Sequence, residues 1–425
     1  MKKTLLAIAL GATFAVGMQA QEIWTMNPEV KRLLMEDNRR AGNNTHSYEF
    51  DKIVDTPAPK GYKPVYISHY GRHGSRSNWG SGDYNRVIDV LTKAKEAGIL
   101  TASGDSLLSE AKRVLASYDG MDGRLTQRGV REHEQLAARM YDRFTPVFKG
   151  RRQVRAVAST SQRCIVSMTG FLTSLGRKNH YLEIHPDTGE KMMDYISHPD
   201  AGKNPPAEVM MKIARETASR PVDTVTVMKR LFTDQAKAHQ IVGKVDPFQN
   251  SIVATASIAE DFDIEENVYR YLPIDVIYRS WSSNNKFLYY HNGNSPEYGR
   301  NLMPASESLV KDIITKADDA LERGDIAADL RFGHDYPILN LVCHLGIEGV
   351  GDTLEFDEID NSWWGFRNLP MASNLQMIFY RNKAGHTLVK ILYQEKECKL
   401  RGLEPVSGPY YDWDTFKQNA EGWRR

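Results

Sequence analysis

Apolar residues recur along the chain in two spacings, and the two alternate. Short runs rich in apolar residues, "VYIS" at 65–68, "VRAVA" at 154–158 and "ADLRF" at 328–332, recur along the chain. Runs of that length read as buried strands. Between them the spacing changes to three and four. Asp83 opens one such pattern, with Val87, Val90, Leu91 and Ala94 on one face and Gly98 as the stop. Asp105 and Ser106 open another, with Leu107, Leu108, Ala111, Val114 and Leu115. "RLTQRGVREHEQLAARMYDRF" gives a third, to about Phe144, and a fourth runs from about Gln162 to Leu175. "PASESLVKDIITKADDALERG" places Leu309, Val310, Ile313, Ile314, Ala317 and Leu321 together before Gly324. These periodicities predict amphipathic helices. "LQMIFYRNKAGHTLVKILYQ" predicts a β-hairpin turning at Asn382 to Gly385.

Strands alternating with helices predict an α/β fold, a central mostly parallel sheet flanked by helices. Residues 186–300 break the alternation. They hold "HPDAGKNPPAE", several amphipathic stretches and the Tyr-, Asn- and Ser-rich "RSWSSNNKFLYYHNGNSPEYG". The expectation is an inserted, mainly α-helical cap at 186–300, splitting the core into 21–185 and 301–425. Residues 22–60 read as polar and irregular.

The first residues belong to neither part. Lys2 and Lys3 precede the apolar run Leu5 to Val16, and "GMQAQ" follows. This predicts a signal peptide over 1–20, cleaved after Ala20 to expose Gln21, and a periplasmic or secreted protein. The run is too short to span a bilayer, and no later segment has the length, so no membrane anchor is expected. Cleavage removes two lysines and no acid, leaving 53 basic residues against 54 acidic ones. That balance argues against a general nucleic-acid or membrane-surface binder, and any basic site must be local. Three cysteines, Cys164, Cys343 and Cys398, allow at most one internal disulfide and fit no zinc spacing.

One segment is locally basic. "YISHYGRHGSRSNW" (66–79) sets His69, Arg72, His73 and Arg76 among glycine and serine, at the end of the first predicted strand. "RFGHDY" ends the third in the same way. Strand ends are where ligands bind in such sheets. Gly71 and Gly74 permit close backbone approach to a ligand, and a helix starting soon after would aim free N–H groups at an anion. Arg72 and Arg76 carry planar forks suited to phosphate oxygens. Flanking cations should keep His73 neutral, and a neutral ring nitrogen is a nucleophile.

"RHGSR" (72–76) resembles the R-H-G-x-R signature of the histidine phosphatases. "TSQRCIVSM" resembles that family's second arginine region, "GHDYPILNL" the His-Asp motif of its acid phosphatase and phytase branch, and "LTQRGVREHEQL" the helix between the first two regions. The motifs stand in the family's order over most of residues 62–400. The resemblance implies a phosphomonoesterase working through a phosphohistidine. His73 would be the nucleophile, Arg72, Arg76 and Arg163 the phosphate ligands, His334 a further hydrogen-bond donor and Asp335 the general acid. It implies no cofactor and no metal, and a small-molecule phosphomonoester as the partner; oligomeric state is left open. Asn78 stands where the family often has proline. The His-Asp form and the inositol-phosphatase-like "QRCIVSM" point to different substrates. An inositol polyphosphate such as phytate is the preferred expectation, with Lys203, Lys212, Lys229, Lys237 and Lys286 of the insertion supplying further charge. Sugar phosphates or a broad acid phosphatase activity are the alternative.

Other residues are weighed against plainer roles. His69 could touch ligand or pack against the sheet, and a His69–His73 metal pair would need a helix that Gly71 argues against. Lys149, Arg151, Arg152 and Arg155 read as a solvated cluster that could also greet a polyanion. Trp281, Tyr289 and Tyr290 read as cap core, and Cys164 as a small buried apolar residue.

Overall fold

The computed structural model describes residues 24–118, 120–199, 205–299 and 304–422. The predicted signal peptide and Lys203 lie outside the described residues.

Among the described residues, eight strands form one sheet: β1 (Lys63–Arg72), β2 (Gln153–Ala158), β3 (Glu183–Thr188), β4 (Ile326–Gly333), β5 (Asn374–Arg381), β6 (Thr387–Tyr393), β7 (Lys396–Glu397) and β8 (Tyr410–Asp412). The spatial order is β3-β2-β4-β1-β5-β6-β7, with β8 also on β6. β1 to β4 pair in parallel, and β5 to β8 add an antiparallel half. β1 lies centrally, between β4 and β5, which is why its polar end is buried. The strand continues past Ser68 through His69 to Arg72, in register with Leu330 to Gly333.

Side chains alternate across the sheet. Tyr66 and Tyr70 point to the face covered by helices Pro304–Arg323 and Asp335–His344. Ile67 points to the other, covered by α4 (Gln127–Arg143) and α5 (Gln162–Lys178) through Leu136, Met140, Met168 and Phe171. His69 shares the second face. Its ring lies 5.4 Å from those of Phe171 and Phe332, and neither ring nitrogen has a hydrogen-bond partner among the described residues. It is a packing residue, held among aromatic rings.

A second apolar cluster makes a helical layer. Helices Val225–Leu231, Gln235–Val242, Val245–Ala259 and Ile274–Asn292 pack with α1 (Pro28–Glu36), α2 (Gly82–Glu96) and α3 (Ala102–Tyr118) through Leu34, Tyr84, Leu107, Phe248 and Trp281. The layer therefore draws on the β1–β2 crossover and the N-terminal segment as well as on the region after residue 186. Trp281, Tyr289 and Tyr290 are all buried. α1 corrects the irregular reading of 22–60. Asn27 caps it by accepting a hydrogen bond from Val30 N, and Pro28 begins its first turn. β3 was not expected either. It is a half-exposed edge strand containing Pro186, so it lacks the apolar run of a central strand.

Candidate active site

Three chain segments leave the carboxyl ends of adjacent parallel strands and meet. β1 ends at Arg72, with His73 next. β4 ends at Gly333, followed by His334 and Asp335. Ser159, just past β2, leads to α5, whose first turn carries Arg163. Arg72 pairs directly with Gly333, and Ala158 with Phe332, so register brings the three together. The helix that follows the first motif is not the one at the site: α2 begins only at Gly82. The helices starting here are α5 and Asp335–His344.

Both glycines of the motif are packed tightly against protein atoms. A Cβ on Gly74 would stand 2.5 Å from the Gly129 carbonyl oxygen of α4 and 2.9 Å from a Glu132 carboxylate oxygen. Gly129 in turn has no room against the backbone of Ser75. Glu132 then ties down the loop, accepting from Ser75 N at 2.7 Å and Ser75 Oγ at 2.8 Å. Gly71 is a strand residue, crowded by the His69 ring.

His73 is buried and its tautomer is fixed. Nδ1 lies 2.9 Å from the Gly74 carbonyl oxygen, which can only accept, so Nδ1 carries the proton and Nε2 the lone pair. Burial, then Arg72, Arg76, Arg163 and His334, push its pKa well below the ordinary histidine value. The imidazole is neutral.

Around it stand guanidinium groups with spare donors. Arg72 is fully buried; Nη1 donates to Asn44 O at 2.6 Å and Leu369 O at 2.9 Å, and Nη2 lies 3.1 Å from Asp335 Oδ2. Its Nε, Arg76 Nε and Arg163 Nε are buried without a hydrogen-bond partner among the described residues, and Arg72 Nη2 meets Asp335 as an ion pair whose geometry is not that of a hydrogen bond. Burying such donors unpaired is costly. Burial first, then the neighbouring Arg72, lowers the Arg76 pKa to about 10, still fully charged at neutral pH. Asp335 is 22% exposed. Oδ2 accepts from Asn44 Nδ2 at 2.9 Å, and Oδ1 from Tyr336 N at 3.1 Å. Burial would raise its pKa, but Arg72, Arg76 and the Asn44 amide hold it well below the ordinary carboxylate range.

His334 is arranged differently from expectation. Arg163 Nη2 donates to its Nδ1 at 3.0 Å, so Nε2 carries the proton, facing Ser159 Oγ at 2.9 Å. Both nitrogens are engaged, and the ring acts here as an anchor for Arg163. A hydrogen bond from His334 to an oxyanion would require it to release one of these partners. Its pKa falls to about 3, through burial and then Arg163.

Two of the expected lysines are engaged within the protein. Lys286 is buried and paired with Glu216 at 2.6 Å, and Lys212 lies over Phe356 in a separate cleft of about 720 Å³. Arg155 binds Asp329 and Asp319, and Arg152 donates to Ile326 O, so both are engaged within the protein. Cys164 is buried, with its thiol pushed up to about 12 by burial, and is no nucleophile. The three cysteines are free thiols. Asn44 is the site residue that sequence reasoning missed. It lies on a short helical segment, Asn38–Thr45, where Asn43 is left-handed and donates to Trp281 O at 3.0 Å. Nothing in "AGNNTH" marks it.

This architecture defines an α/β protein that faces buried, unsatisfied guanidinium donors toward a neutral imidazole at the strand ends. The chain belongs to the histidine phosphatase superfamily (branch 2), which it matches over residues 72–394. Membership of that family makes it a phosphatase. The fold is similar to that of the Bifidobacterium longum multiple inositol polyphosphate phosphatase in complex with phosphate: TM-score 0.70, 18% identity, covering 90% of this chain and 97% of that one. The same protein in complex with inositol hexasulfate gives 0.66 at 17% identity, covering 90% and 97%. The D. castellii phytase gives 0.65 at 12% identity, covering 95% of this chain and 89% of that one. No curated protein matches the chain.

Proposed function

We propose that the protein hydrolyses phosphomonoesters through a phosphohistidine, with inositol polyphosphates as the preferred substrates, after export from the cytoplasm. The observation that carries the reading is the set of buried, unpartnered N–H groups on Arg72, Arg76 and Arg163 around His73. A tetrahedral oxyanion would satisfy them and disperse its charge over them in the transition state. His73 Nε2 gives its lone pair to phosphorus. The ester P–O bond breaks, and the leaving oxygen takes the bond pair together with the proton of Asp335. The Asp335 carboxylate next accepts a proton from water as that oxygen bonds to phosphorus. The N–P bond breaks, releasing phosphate and the free imidazole. Arginine charge takes the place that a cation fills in other phosphoryl-transfer enzymes.

Binding of the dianion would neutralise the charges that hold Asp335 ionised, so its pKa rises toward the range where it can donate. The fold shared with an inositol polyphosphate phosphatase and a phytase supports the substrate class. The internal pairing of Lys286 favours the alternative, a broader phosphomonoesterase. Relative kcat/KM on inositol hexakisphosphate, glucose 1-phosphate and p-nitrophenyl phosphate separates the two. The preferred reading expects the hexakisphosphate to lead; no turnover of it removes that reading and leaves the broader one.

A further inference from the structure

Trp79 is a large apolar side chain left 60% exposed beside a cationic site. Its ring centroid lies 5.0 Å from the Arg76 guanidinium carbon and 4.7 Å from that of Arg163. One indole therefore contacts two of the three guanidinium groups assigned to phosphate. Like charges converging on one cradle repel, and an aromatic π-face attracts both. The loop beneath is built around that contact. Gly123 N donates to Asn78 O at 2.9 Å and Ser77 N to Arg124 O at 2.9 Å, docking residues 77–79 on residues 121–124. Gly123 has φ +60°, and a Cβ there would stand 2.5 Å from the indole ring. Only the absence of a side chain at 123 lets the ring take this position. Asn78, at the usual proline position, supplies the carbonyl that makes the docking bond.

We infer that Trp79 is a positioning residue, one whose ring holds Arg76 and Arg163 ready for the phosphoryl group before substrate arrives. The inference rests on the reading of those two arginines as phosphate ligands. The ring sets where the two guanidinium groups stand before substrate binds; once phosphate is bound its oxygens hold them, so loss of the ring acts on KM rather than kcat.

The test measures the competitive inhibition constant of inorganic phosphate, and KM and kcat on two phosphomonoesters, in wild type, Trp79→Ala, Trp79→Phe and Gly123→Ala, with melting curves to establish folding. Trp79→Ala should weaken phosphate binding roughly tenfold, the product of two modest cation–π contacts. KM should rise by the same factor on both esters and kcat stay within about twofold of wild type. Trp79→Phe should recover most of the loss. Gly123→Ala, which displaces the ring without altering it, should reproduce the Ala phenotype. A folded Trp79→Ala with unchanged phosphate affinity overturns the inference, as does a loss confined to kcat or one that Phe does not rescue. If wild type neither binds phosphate nor turns over an ester, the underlying functional reading fails, and this inference with it.

Discussion

Replacing Asn44 by alanine isolates one contribution to the acidity of Asp335. The substitution removes the Nδ2–H to Oδ2 hydrogen bond of 2.9 Å and leaves the Asn44 carbonyl in place as acceptor for Arg72. A hydrogen bond to a charged group is worth roughly 1.5–3 kcal/mol. Asp335 is 22% exposed, so water partly replaces the lost amide and the lower end applies. At 1.36 kcal/mol per unit, the Asp335 pKa should rise by about one unit. The sign follows from the direction of the native shift. The folded pKa lies below the ordinary value, so the carboxyl carries too little proton at working pH. Raising it increases the acid form about tenfold at any pH above the pKa. The alkaline limb of kcat/KM for an alkyl phosphate should therefore move up by about one pH unit. The limb for a nitrophenyl ester, whose leaving group needs little protonation, should barely move. The same change should remove about 1.4 kcal/mol of stability above the unfolded pKa of roughly 3.9, fading as pH falls through the folded value. Profiles on both esters, with melting curves, make the assay. An unmoved alkyl limb, or equal shifts on the two esters, would refute the reasoning.

Three further outcomes are expected. Asp335→Asn should cut kcat on alkyl phosphates by roughly 10²–10⁴ and on a nitrophenyl ester far less; equal losses would remove Asp335 from the acid role. Gly74→Ala meets backbone at 2.5 Å, so it should lower Tm by several degrees, corresponding to roughly 1–3 kcal/mol, checked by calorimetry. His69→Leu should keep activity and raise acid stability. The buried ring titrates at about 3, against roughly 6.5 unfolded, so it costs stability increasingly as pH falls through that window. At about pH 4.5 the cost is about 2.7 kcal/mol, and Tm there should rise relative to wild type while Tm near neutrality changes less.

The local signals were legible where one face of an element decided its fate. The helix at 304–323 and the hairpin at 374–393 could be placed because burial and periodicity agree. Arg72, His73 and Arg76 stood out because cations and an imidazole clustered at a strand end. What the sequence withheld was tertiary. Asn44 reaches Asp335 across 291 positions, and no local pattern encodes that contact. Lys286 looked available because a lysine in a polar stretch is usually solvated, yet Glu216 and Asp360 hold it inside. Gly74 packs on Gly129 of α4, a neighbour that the residues around Gly74 in the sequence do not reveal. α1 was within reach, since "NPEVKRLL" carries a cap, a proline and paired apolar positions.

The central claim is that Nε2 of His73 takes the phosphoryl group. Rapid acid-free quenching during turnover of ³²P-labelled ester, followed by peptide mapping, measures this directly. The account predicts alkali-stable, acid-labile phosphate on the peptide containing His73, and none in His73→Ala. Turnover at full rate with no label on that peptide, or label that persists in His73→Ala, would contradict it.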